Sequence, residues 1–570
     1  MRHRPILRSA SIILLTVYAL TSLPAQTPKF LDQGWTPQQR ARFYITSQGS
    51  QLIPLAWFLA LEQDNGSPFT QDLTRYGFLP SLVNANGLPV GFTVDNQAGT
   101  WAGLNCSACH TNQVEYQGTT MQLDGGPTNA DLYAFIAELT QALEKTLSDS
   151  ARFDRFANKI PANNESRQEL RNELTRFSAY FSTYVNSATP KNPWGPARAD
   201  AFGLIFNRVA AIDLSDRAVW QWFHSLETNN RQPNAPVSYP YLWGVSRMDK
   251  VQWNGVADNT SCIKRLGRNV GEVLGVFARI QLTPSITGYK STAAISDQVM
   301  LEETLIKHLK SPQWSDPNSN LPPIDKTKKA QGEALYRKYC VDCHVVIDRN
   351  SSSRVTVKLT PLSKIGTDPA MAEGVACRTA NTGSLAGTAQ PVVGGTKLKP
   401  TDYVLNLAQN AVSGAIVNNP PPLSCLLNLS AKASAAAQPR KPAQTSVQER
   451  QTLAKRIPPV YKRAIGTGNC ITALEQYIGR PLDGIWATAP YLHNGSVPSL
   501  YQLLLPANQR VAKFKVGSRV FDPVNVGFDI TTGSFEFDTG LPGNSNSGHE
   551  YGTNLTEAQR QQLLEYLKAL

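Results

Sequence analysis

Two cysteines are followed at once by a histidine at two places in this chain: Cys106-Ser107-Ala108-Cys109-His110 and Cys340-Val341-Asp342-Cys343-His344. In the order C-x-x-C-H, two thiols can add across the vinyl groups of a haem while the adjacent imidazole reaches the iron. Zinc would require two more ligands nearby at finger-like spacing, and none flank either motif. A disulfide within either motif would not require a histidine next, and not twice. The spacing predicts two covalently bound haem c groups, attached through Cys106, Cys109, Cys340 and Cys343. His110 and His344 are the expected proximal iron ligands.

The chemistry of each iron depends on its other axial face. A filled face makes an electron carrier; an open one admits oxygen or peroxide. Besides His110, His344 and His3, the seven histidines leave His224, His308, His493 and His549. His549 precedes the last helical stretch, where small cytochromes c carry their sixth ligand, and is the expected distal ligand of the second haem. His493, in Ala489-Pro490-Tyr491-Leu492-His493-Asn494-Gly495, competes, but a hydrogen bond to a haem propionate suits it better. For the first haem the candidates are Met121, Met248, Met300, His224 and His308, none in a segment that reads as a ligand loop. His224 follows Trp220, Trp222 and Phe223 and reads as a buried, hydrogen-bonded histidine. His308, beside Lys307 and Lys310, reads as solvent-facing. The first iron is therefore expected to keep an open or water-occupied face.

These residues need elements to position them. Lys328 to Tyr339 reads as a helix with Ala334, Leu335 and Tyr339 on one face, running directly into Cys340. At the chain end, Thr556 and Gln559 form a capping box, and Leu563, Leu567 and Leu570 follow at helical spacing. In the first half, Pro54 to Gln63 is an apolar run with Trp57, Phe58 and Leu61. Asn129 to Leu147 places Leu132, Phe135, Ile136, Leu139 and Leu143 at helical spacing. No alternating series is long enough for a sheet domain. The expected fold is mainly α, with two cytochrome c-like haem domains and extended loops. The expected boundaries are 26–310 for the first domain, a proline-rich linker over 311–327, and 328–570 for the second. Within the last, 430–446 is an Ala/Ser/Gln/Pro/Lys stretch expected to be a mobile surface insertion.

Residues 1–25 read as a signal peptide, with Arg2, Arg4 and Arg8 ahead of an apolar run from Ile12 to Leu20 and a small-residue exit. C-type haem is attached outside the cytoplasm, so a periplasmic or secreted protein without stable membrane insertion is expected. Loss of three arginines takes the formal charge from +12 to about +9, which would suit an acidic partner or substrate. Nothing resembles a nucleic-acid-binding module. Four cysteines remain outside the motifs: Cys262, Cys377, Cys425 and Cys470. In an oxidising compartment one or two disulfides are expected, more readily among the last three than with Cys262.

Ala489 to Leu500, APYLHNGSVPSL, resembles the signature of bacterial di-haem cytochrome c peroxidases and their relatives. Val251-Gln252-Trp253-Asn254-Gly255 resembles the segment that places a tryptophan between the haems of that superfamily. Several stretches are closer to the rubber oxygenase branch, di-haem dioxygenases that cleave polyisoprene. They are Trp57 to Gln63, Gly195-Pro196-Ala197-Arg198, Ala235 to Pro240, Gly271 to Phe277, and Gly548-His549-Glu550-Tyr551-Gly552. Di-haem fatty-acid dioxygenases and diol synthases of pseudomonads are similar too. The resemblance implies a reactive N-terminal haem, a six-coordinate C-terminal haem that passes electrons, and Trp253 between them. It also implies a distal carboxyl: Glu272 lies beyond Trp253 at close to the spacing at which peroxidases of this group carry a glutamate. The peroxidase distal-loop histidine has no counterpart, because Gln113 to Asp131 contains none.

The expected function is a haem-dependent oxygenase that inserts O2 into an unsaturated lipid chain, a fatty acid slightly before a polyisoprenoid. The alternatives are a peroxidase reducing H2O2 with electrons from a small periplasmic donor, and a non-enzymatic electron carrier. Replacing both Cys340 and Cys343 by Ala is expected to leave one covalent haem per chain by haem stain and pyridine haemochrome; two would refute the assignment.

Overall fold

The computed structural model describes residues 27–160, 166–212, 227–285, 288–391, 395–427, 446–458 and 470–570. The expected signal peptide, His224 and nearly all of 430–446 lie outside the described residues.

In the first half the apolar spacing does what it implies. Leu132–Ser148 is a helix whose cap, Asp131, accepts the Ala134 amide at 2.9 Å. It buries Leu132, Phe135, Ile136, Leu139 and Leu143. Phe135 lies among Phe58, Phe69, Phe78 and Phe92, at centroid distances of 5.4–6.4 Å. A short helix, Leu55–Ala60, brings Trp57 edge-on to Phe177. A larger core draws on both halves, from Leu31 and Val270 to Val412, Trp486 and Leu563. Within 311–327, Trp314 is buried with its ring edge-on to Trp486 and Phe521.

At the second motif the chain enters from a helix. Lys326–Tyr339 is capped by Asp325, which accepts the Thr327 and Lys328 amides, and ends at Cys340. The closing helix Glu557–Lys568 carries the anticipated capping box of Thr556 and Gln559. The two helices cross at Gly332, where a Cβ would lie 2.0 Å from the carbonyl oxygen of Gln562. Tyr336 meets Tyr566 at 5.1 Å beside the crossing.

This C-terminal part is the one cytochrome c-like domain shown, which corrects the expectation of a mainly α fold with two. Among the described residues helix makes up 41% and strand 14%, the strands lying in small sheets. Among the described residues these are two three-stranded and six two-stranded sheets. The first motif is delivered by a strand, Trp101–Leu104, and is followed by a hairpin, Thr111–Tyr116 with Thr119–Asp124. The hairpin turns at Gln117 and Gly118, both left-handed with φ of 44° and 74°, as a primed turn requires. Most strands here span two to four residues, too short for a period-of-two pattern to register in the sequence.

The disulfides are Cys262–Cys425 and Cys377–Cys470. The second lies within the C-terminal half as expected. The first brings in Cys262, the less expected partner of the four. The buried helix Val404–Asn418 packs on the helix Cys262–Gly275, and the turn Leu423–Leu426 beyond it carries Cys425 to that helix's first residue. No described helix is long and apolar enough to cross a membrane.

Gly332→Ala is expected to lower stability by about 1–3 kcal/mol through overpacking at the crossing of the two helices. A thermal melt followed at the haem band checks it, and an unchanged midpoint would contradict the packing described.

Candidate functional site

The second motif closes on itself before it meets anything else. The His344 amide donates to Cys340 O at 2.8 Å, and the Tyr336 hydroxyl donates to His344 O at 2.6 Å. The His344 ring is set by Nδ1, which lies 2.6 Å from Arg480 O. A carbonyl can only accept, so Nδ1 carries the proton and Nε2 is left as a metal donor. Arg480 follows the strand Gln476–Gly479, which approaches so closely that a Cβ on Gly479 would sit 2.3 Å from Cys343 O. Only glycine fits.

Across from His344 stands His549, with ring centroids 6.0 Å apart. Two imidazoles sharing one metal at about 2 Å from a nitrogen each bring their centroids to roughly 6 Å. His549 rides a tight loop with φ of 51°, after Gly548 with φ of 72°. A Cβ on Gly548 would lie 2.3 Å from the Gly366 carbonyl carbon, and the His549 amide donates to Ile365 O at 2.8 Å. Burial, then the neighbouring His344 and Arg510, push the His549 pKa down to about 3, and burial lowers that of His344. Both shifts favour the neutral imidazole, the form that ligates a metal.

Cys340, Cys343, His344 and His549 line a cavity of about 780 Å³, with Leu504, Leu563 and Leu567 among its apolar walls. That volume falls in the range of cofactor sites, ~300–1,000 Å³. Two thiols, two opposed imidazoles and an apolar surround fit a haem c. His493 is in the same wall, stacked on Tyr477 at 4.1 Å and edge-on to Trp253 at 6.5 Å. Burial pushes its pKa down to about 3.

The first motif is held by polar side chains. Asn105 accepts the Ser107 amide at 2.9 Å and donates to Phe43 O and Thr46 O at 2.8 and 2.9 Å. The Cys106 amide donates to Gln48 Oε1, and the His110 amide to Cys106 O, each at 2.8 Å. Burial takes the His110 pKa down to about 4. The Pro240 carbonyl lies close enough to oppose that shift, yet Nδ1 of His110 has no hydrogen bond of standard geometry. The ring beside His110 is Tyr239, edge-on at 6.1 Å. Among the described residues no second imidazole stands opposite it.

Glu272 lies near this motif, where its charge adds to burial in raising the Cys106 thiol to about 12. It accepts from Gln252 Nε2 at 2.9 Å, and Arg268 Nε is 3.8 Å away. Its side chain keeps 38% of its surface exposed. Desolvation there raises its pKa above the ordinary carboxylate value.

A shared wall joins the two motifs. Trp253 lines the second cavity and donates through its indole to Ser238 O at 3.0 Å. Its own carbonyl accepts the Ile478 amide at 2.9 Å. Ser238 adjoins Tyr239, which touches His110 and also lines the second cavity. The sequence reading missed Arg480, Gln252, Arg268 and Tyr239. The Arg480 guanidinium covers Tyr241 at 3.9 Å and lies 5.9 Å from the Trp253 ring, and its buried Nε has no hydrogen bond. An arginine directly after the apolar run Tyr477-Ile478-Gly479 was the available signal. Met121, Met248 and Met300 are packed with the core, and His308 is exposed as anticipated.

Residues 476–515, which include Arg480 and His493, match the RoxA-like, cytochrome c-like family. A cytochrome c-like domain of this kind implies covalently bound haem c and a haem-dependent oxidoreductase. The uncharacterised protein y4iJ of Sinorhizobium fredii is 30% identical over 95% of this chain and 93% of its own length. The chain belongs to the same family as y4iJ. A second uncharacterised protein of that organism, y4iM, is 47% identical over 11% of this chain and 14% of its own length.

His549→Ala is expected to turn the haem at Cys340 and Cys343 from low-spin to high-spin in the electronic and EPR spectra. His493→Ala should leave it mostly low-spin, and the reverse pattern would give the ligand role to His493.

Proposed function

We propose that the protein is a periplasmic or secreted di-haem c oxygenase that inserts O2 into an unsaturated lipid chain at the site of Cys106, Cys109 and His110. A fatty acid is preferred to a polyisoprenoid. The observation that carries this reading is the asymmetry of the two motifs. His344 faces a second imidazole at 6.0 Å. His110 has no such partner among the described residues, and the Glu272 carboxyl lies near its motif. A haem held there would supply O2 binding and one-electron chemistry.

The chain's own residues would do the rest. Glu272, whose pKa burial raises against the opposing bond from Gln252, would carry a proton to or from the site. His110, kept neutral by burial, ligates. Trp253 and Arg480, in the wall between the motifs, give electrons a short aromatic and hydrogen-bonded route from the His344 side. The basic surface suits a carboxylate-bearing lipid.

One observation favours the peroxidase reading as the alternative: a Gln-held carboxyl is also what O–O cleavage of peroxide uses to move its proton. That reading requires an external electron donor. A pure electron carrier is disfavoured, since among the described residues only one motif pairs two imidazoles.

Incubation with oleate under ¹⁸O2 is expected to place label in a lipid product, with H2O2 alone unable to replace O2. Label confined to water, with a reduced donor protein oxidised in step, would make the protein a peroxidase instead.

A further inference from the structure

Arg268 and Glu272 stand one helical turn apart on Cys262–Gly275, yet their ion pair is not closed: Arg268 Nε is 3.8 Å from Glu272 Oε1. The reason lies on another element. After the helix Ile295–Met300 the backbone widens into a π-helical turn, Leu301–Leu305, that carries Glu302 inward and leaves its side chain 2% exposed. Such turns recur at functional sites because they redirect side chains without ending the helix.

Glu302 Oε2 takes Arg268 Nη2 at 2.7 Å. Three more of its five donors are engaged elsewhere. Nε and Nη2 bond Asn269 Oδ1 at 3.1 and 2.9 Å, and Nη1 bonds Asn259 Oδ1 at 2.9 Å. Arg265 does not relieve Glu302, because it binds Glu303 at 2.5 Å and stays 3.9 Å from Glu302. An arginine placed N-terminal to its glutamate is also the weaker order for such a helical pair. Glu272 thus loses the competition for the one guanidinium it could hold, and its close partner is the neutral amide of Gln252.

We propose that Glu302 is a positioning residue for Glu272: it keeps Arg268 engaged, so that Glu272 turns to Gln252 instead of closing an ion pair along its own helix. This rests on the reading of Glu272 as the proton-carrying group of the first site. The polar groups around Glu272 are Arg268 on its own helix, Gln252 on the segment before Trp253, Glu302 on the π-helical turn and Cys106 in the motif. Removing the Glu302 charge frees Arg268 for the nearest remaining carboxylate, which is Glu272. Its proton affinity then falls.

The test is infrared titration of the haem-loaded full chain, following the protonated-carboxyl band that Glu272→Gln abolishes. In Glu302→Gln the midpoint of that band is expected to fall by about one pH unit, a tenfold loss of proton affinity. Glu302→Asp withdraws the charge by one methylene and is the second variant should the first not fold; a smaller fall is expected. An unchanged midpoint in a folded variant overturns the proposal. Turnover separates the two readings. If the midpoint falls but Glu272→Gln leaves turnover intact, Glu302 still positions Glu272 and the role given to Glu272 is wrong. If Glu272→Gln abolishes turnover while Glu302→Gln leaves the midpoint in place, only the proposal about Glu302 fails.

Discussion

One hydrogen bond organises the second site and much of what surrounds it. The Nδ1 proton of His344 is committed to the backbone carbonyl of Arg480, which fixes the tautomer, the plane of the ring and the direction of Nε2. That bond forms only if the strand Gln476–Gly479 reaches the motif, and the missing side chain of Gly479 permits the approach. The same strand takes hold of Trp253 through the Ile478 amide. It also projects the Arg480 side chain over Tyr241. The orientation of the histidine and the wall between the motifs therefore follow from one strand's position.

The two motifs share a local turn and differ in everything that comes to meet them. In each, the histidine amide closes onto the first cysteine's carbonyl at 2.8 Å. The second receives a neutral imidazole on a loop whose left-handed backbone is held against Ile365 and Gly366. The first has nearby a carboxyl set among an amide, a guanidinium and a second, deeper carboxylate. Desolvation acts in opposite senses on these groups. It lowers the imidazole pKa values, keeping the rings available as bases, and raises that of Glu272.

Packing joins the halves that carry the motifs. The largest core draws side chains from both, and the Cys262–Cys425 bridge ties the start of the helix bearing Arg268 and Glu272 to the C-terminal half. The carboxyl at the first site is thus held by a helix anchored covalently at its start and by a π-helical turn beside it.

Where information is local, the sequence by itself was enough. The helix into Cys340, the capping box at Thr556 and the apolar face of Leu132–Ser148 each depend on residues a few positions apart, and each formed as read. The strands escaped because most are too short to show alternation, and the hairpin after His110 turns on Gln-Gly, a weaker signal than Asn-Gly. The second cytochrome c-like domain was inferred from a repeated pentapeptide, but the tertiary surroundings of the first motif are a strand and a hairpin. Tertiary structure alone decided the pairing of Cys262 and the placing of Arg480, Gln252 and Arg268. These contacts join residues far apart in the chain, and what selects them is the fit of backbones at Gly479 and the competition of buried charges for one guanidinium. No spacing along the sequence records either.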